Sequence, residues 1–95
     1  MMKGRCRMLT SRLLILNQKE AECKEMAAYF QDSGYSVIWC TEYDEATEIL
    51  SRGKNKPDLL IFDVDLPKRR EYEALEKIRS LSDMAVLMLS QDDKL

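Results

Sequence analysis

The sequence predicts an α/β fold, a doubly wound parallel sheet in three layers with the element order β-α-β-α-β-α-β, and three observations predict it. Short apolar runs without alternation occur in RLLILN (12–17), PDLLIFDVDLP (57–67) and AVLMLS (85–90), the pattern of strands buried on both faces. The segments between strands carry the 3.6-residue period of amphipathic helices. Gly34, Gly53 and Pro67 punctuate the chain where one element gives way to the next. Strands alternating with helices of this length imply right-handed crossovers and a sheet covered on both sides.

Each element has its own justification. Residues 1–11 carry Lys3, Arg5 and Arg7 without a period and read as a flexible N-terminal arm, leaving 12–95 as one domain. RLLILN is the first strand. From Lys19 onward, Cys23, Met26, Ala27 and Phe30 form the i, i+3, i+4, i+7 face of a helix, which Gly34 ends with a left-handed cap. YSVIWC, Tyr35 to Cys40, is β-branched and aromatic and forms the second strand. Asp44 is placed to cap a second helix that buries Ala46, Ile49 and Leu50 and stops at Gly53. KNKP turns into the third strand. Leu75, Ile78 and Leu81 line a third helix on which Glu73 and Lys77 can pair, and Lys68, Arg69 and Arg70 fall in the loop before it. That basic run is either a solvated loop or a docking patch for an acidic partner. AVLMLS is the fourth strand.

Composition narrows the function classes. The chain has 95 residues, 45% of them hydrophobic, enough for one small domain. Fifteen basic against seventeen acidic residues give a net charge of -2, so no overall field recruits nucleic acid or an anionic membrane. No apolar run is long enough to cross a bilayer, and MMKGRCRMLTSR lacks the apolar centre of a signal peptide, so a cytoplasmic location is expected. Cys6, Cys23 and Cys40 form no C-x-x-C pair and come without histidine, which argues against a zinc site or a disulfide framework. Cys23 and Cys40 are expected to be small buried apolar residues.

Asp63 is the residue to watch, because it ends a buried strand at the edge where open α/β sheets keep their sites. In a generic α/β protein such an aspartate is often a loop cap bonded to backbone N–H groups. The turn NQKEAE after the first strand lacks the small hydroxyl and glycine residues of a phosphate cradle, which argues against FMN.

RLLILN, PDLLIFDVDLP and AVLMLS, in this order, resemble the first, third and fourth strands of the receiver domain of bacterial response regulators, over Arg12 to Asp93. The resemblance implies a non-enzymatic signalling module of two-component systems, with a histidine kinase or a downstream effector as its protein partner. It implies Asp63 as phosphoacceptor, the carbonyl of Asp65 as a ligand of a hydrated Mg²⁺, and the hydroxyl of Ser90 as a contact to the phosphoryl group. Hard oxygen ligands suit that ion, which neutralises charge during phosphoryl transfer.

The chain departs from the pattern. The family's acidic pair at the end of the first strand falls on Asn17 and Gln18, which bring no charge to a dication. Even at an effective dielectric of about 20, one charge pair at ~4 Å is worth ~4 kcal/mol before desolvation, so weak or no Mg²⁺ binding is expected at Asp63 and Asp65. Gln91 follows Ser90 where the family usually has a small residue, and the 95 residues stop before the family's fifth strand and its lysine. The expectation is a degenerate receiver acting by protein contact; the other reading is a phosphoaccepting receiver at the front of a transcriptional regulator. Lys19 is either a solvated first-turn lysine or a cation standing in for the metal. Without a fifth strand, AVLMLS is an apolar sheet edge, covered by a second copy or by following chain.

Overall fold

The computed structural model describes residues 11–52 and 56–89. Along them run β1 (Arg12–Asn17), α1 (Glu20–Asp32), β2 (Ser36–Cys40), α2 (Tyr43–Ser51), β3 (Leu59–Asp63), α3 (Lys68–Leu81) and β4 (Ala85–Met88), the order the sequence predicts. The strands are all parallel and lie in the order β2-β1-β3-β4. β1 and β3 are therefore central and are the most buried strands, and their register sets Leu14 beside Leu60, Leu16 beside Phe62 and Asn17 beside Asp63.

Strand alternation divides the core between two faces. Leu14, Leu16, Leu60 and Phe62 pack on one side with Ala46 and Leu50 of α2 and Ala74 and Ile78 of α3. Ile15 and Ile61 pack on the other with Cys23 and Ala27 of α1. This is the three-layer arrangement expected of unbroken apolar strands. On the α1 side the helix covers β1 and β2. Leu87 of β4, in register with Ile61, stays 48% exposed on that side, and Leu89 is 39% exposed.

The end of α1 follows the sequence closely. Gly34 has φ +101°, its N–H donates to Gln31 O at 3.0 Å, and the next N–H, of Tyr35, donates to Phe30 O at 3.0 Å. This double reversal satisfies two end carbonyls, and the Phe30 and Tyr35 rings meet edge to face across it at 5.9 Å. Tyr35 thus belongs to the cap, and β2 starts one residue later than expected.

Three other local expectations are corrected. Asp44 is not the cap of α2. The helix already includes Tyr43, which packs against the core from the first turn and whose hydroxyl donates to Ala74 O at 3.4 Å. Asp44 lies inside that turn, where its charge complements the helix dipole. Lys68, Arg69 and Arg70 are not a loop but the first turn of α3. Pro67, with φ -58°, sits at the cap and its carbonyl accepts the Glu71 N–H at 2.9 Å, so helical bonding starts immediately after the proline. Among the described residues the ion pairs are Lys19–Glu22, Lys24–Glu20 and Arg52–Glu48, so Glu73 and Lys77 do not form one. The helix stop expected at Gly53, the N-terminal arm up to residue 10, and Cys6 lie outside the described residues.

Candidate functional site

β1 and β3 end side by side at the carboxyl edge of the sheet. From β1 the chain leaves toward β2 on one side, and β3 lies on the other, so the crevice between their ends is the topological switch point where open α/β sheets bind ligands. A cavity of about 270 Å³ opens there, lined by Asn17, Gln18, Lys19, Glu22, Asp63 and Asp65. The sheet thus brings together Asp63, Asp65, Asn17 and Gln18, the residues singled out in the sequence. Ser90 and Gln91 lie outside the described residues.

Asn17 organises the cavity. It is 3% exposed, a polar side chain at the end of an otherwise apolar buried strand. Its Nδ2 donates to Asp63 Oδ2 at 3.0 Å and to Glu22 Oε1 at 3.0 Å, while its Oδ1 accepts the Lys19 backbone N–H at 2.8 Å. Chemistry fixes this orientation. Ionised carboxylates only accept and a backbone N–H only donates, so a reversed amide would set oxygen against oxygen and N–H against N–H. Gln18 makes a second bridge, its Oε1 accepting the Asp65 N–H at 3.2 Å and tying the loop after β1 to the loop after β3. Both amide oxygens at the acidic-pair positions are thus engaged by backbone N–H groups.

Glu22 has no counterpart in the sequence reading. The signal was present in its position: side chains in the first turn of a helix lean toward the N-terminus, so a glutamate there reaches back over the end of the preceding strand. Lys19 stands just before α1, with its ammonium 3.9 Å from Glu22 Oε2 and its side chain 74% exposed. It is a mostly solvated lysine whose closest carboxylate among the described residues is Glu22. Among the described residues, no group of three or more His, Cys, Asp or Glu side chains is arranged to hold a metal ion.

The cysteines underpin this edge. Cys23 and Cys40 are buried and unpaired, as expected from their isolation in the sequence. The Cys23 thiol lies 3.3 Å from Asn17 O and 3.7 Å from Cys40 O, joining α1 to the ends of β1 and β2. Burial is the main cause that raises both thiols, and it brings Cys40 from 9.0 to about 12. Neither is a reactive thiolate at neutral pH.

A doubly wound sheet with an aspartate at its switch point defines a class of small α/β domain, and the comparisons with known proteins define the family. Residues 13–95 match the response regulator receiver domain, and the chain belongs to that family. Two-component response regulator ARR12 of Arabidopsis thaliana is 32% identical over 79 residues, 83% of this chain and 13% of that protein. The alkaline phosphatase synthesis transcriptional regulatory protein PhoP of Bacillus subtilis is 29% identical over 87 residues, 90% of this chain and 35% of that protein. The chain thus spans a minor part of the length of these relatives. The receiver domain of the hybrid histidine kinase CckA superimposes with a TM-score of 0.64 at 24% identity, covering 87% of this chain and 89% of that one, which establishes likeness of fold. Among the described residues no helix is long and apolar enough to cross a membrane.

Proposed function

We propose that this chain is a degenerate receiver module that signals by contact with a protein partner, a histidine kinase or a downstream effector, rather than by Mg²⁺-dependent phosphorylation. The observation that carries this reading is the orientation of Asn17, which presents a nitrogen to Asp63 where a receiver's metal site calls for an anionic oxygen. A dication at this edge needs hard oxygen donors. At the positions of the acidic pair the donors are an amide turned the wrong way and an amide oxygen already held by Asp65 N–H, and among the described residues the carboxylates of the cavity form no group of three arranged for a metal, so the residues present do not fit the ion. Glu22 adds a second obstacle. A phosphoryl group on Asp63 brings up to about two negative charges, and Glu22 shares one amide nitrogen with that carboxylate.

The alternative, a phosphoaccepting receiver at the front of a response regulator that controls transcription, draws support from two facts. Asp63 stands at the carboxyl end of β3 in the cavity, and one relative is named a transcriptional regulatory protein. Titration with Mg²⁺ and beryllofluoride, followed by the fluorescence of half-buried Trp39 and by NMR shifts around Asp63, decides between them. The expected outcome is no saturable change at millimolar ligand. Saturable binding that disappears in Asp63→Asn overturns the proposal.

A further inference from the structure

We infer that the Asn17 side-chain amide takes over the structural task of a metal ion at this sheet edge, clamping Asp63 and Glu22 together so that the carboxylate edge is held in a single state without a metal ion. The inference rests on the degenerate reading and goes beyond it: losing a metal site requires only the removal of ligands, whereas this arrangement supplies a replacement.

Three observations carry it. First, two carboxylates from different elements, β3 and α1, converge on one nitrogen at 3.0 Å each. Two converging anions repel unless something positive lies between them, and the two N–H bonds of the amide provide that partial positive charge. Second, Asn17 is held by its surroundings. It is in register with Asp63 in the parallel ladder, nearly inaccessible to solvent, and its oxygen is bonded to Lys19 N–H. A buried amide with every group engaged has a single low-energy orientation. Third, the clamp extends past the strand ends, because Gln18 adds the bond from the β1–α1 loop to Asp65 N–H in the β3–α3 loop. Together the two amides connect β1, α1, β3 and the loop beyond it.

Asn17→Asp tests the clamp because it exchanges the NH₂ for an oxygen in a side chain of the same shape. Two donated bonds are lost and a third carboxylate joins Asp63 and Glu22. In the absence of divalent ions, the melting temperature is expected to fall by roughly 4–8 °C, the shift typical of a single substantial interaction in a domain of this size. Millimolar Mg²⁺ is expected to restore much of that loss in Asn17→Asp and to leave the unaltered protein unchanged. An Asn17→Asp protein as stable as the original without Mg²⁺ overturns the clamp. Stabilisation of the unaltered protein by Mg²⁺ also overturns it, because a metal then occupies the edge.

Should Asn17→Asp fail to fold, the side-chain amide of Asn17 gives an independent reading by NMR in the unaltered protein. Both of its protons are expected to be protected from exchange and insensitive to Mg²⁺, and Glu22→Gln is expected to shift one proton far more than the other. Rapid exchange of both protons overturns the clamp. Failure of the degenerate reading has a different signature, Asp63-dependent beryllofluoride binding, so the two results are separable.

Discussion

At the scale of single residues, the two cysteines show how burial near the site sets a pH limit. Cys40 is neutral in both folded and unfolded chains below pH 9, but between 9.0 and about 12 only the unfolded chain loses the proton. Unfolding then releases a proton, so stability falls as pH rises through this window, and Cys23, also raised, acts in the same direction. Comparing denaturant midpoints of the protein and Cys40→Ala from pH 8 to 11 isolates the effect: the variant is expected to lose less stability over the alkaline range, whatever its starting value. Parallel curves would remove Cys40 as a cause. Much of the site was legible at this scale. Asp63 was marked by its place at the end of a buried strand and Asp65, Asn17 and Gln18 by the resemblance to receivers, and the parallel pairing of β1 and β3 brings them to one edge. Glu22 was not, because its role depends on the direction in which a helical side chain leans, which periodicity does not report. Nor did the sequence reveal which end of the Asn17 amide faces Asp63, since that follows from what surrounds it in space.

At the scale of elements, helix ends separate what the sequence states clearly from what it does not. Gly34 was legible as the stop of α1 because only a residue without a side chain reaches φ +101° without strain. Gly34→Ala meets open space, with nothing within 4 Å of the added carbon, so the backbone conformation alone sets the cost. A loss of about 1–2 kcal/mol in chemical denaturation is expected, and an unchanged midpoint would mean that the cap relaxes into another form. Helix starts were harder to read. Asp44 has the chemistry of a cap and Lys68–Arg70 that of a loop, yet packing of Tyr43 moves one start and the geometry of Pro67 fixes the other. Three cations in the first turn of α3 oppose the helix dipole. The burial of Ala74 and Ile78 against the sheet sustains the helix despite them.

At the scale of the whole molecule, the strand order decides which strands lie at a sheet edge among the described residues. β4 pairs with β3 alone among the described residues, and Leu87 and Leu89 expose apolar area beside it. An apolar edge without charge or proline is prone to pair with another strand. We propose that a second copy of the chain covers this edge. Sedimentation at micromolar concentration is expected to show self-association that Leu87→Lys weakens. A compact monomer across that range sinks the idea.

The sheet order also has a consequence in time. Of the described strands β1 is made first, yet it lies second in space, with β2 on one side and β3 on the other. The edge toward β2 can close once Ser36–Cys40 has been synthesised, but the other edge waits for Leu59–Asp63, so Asn17 meets Asp63 only after 46 more residues have left the ribosome. During that interval β1, whose residues 13–17 are all buried in the folded protein, has one open side, the condition under which nascent chains associate wrongly. The order of synthesis thus makes the arrival of β3 both the step that ends this vulnerability and the step that first assembles the carboxylate edge.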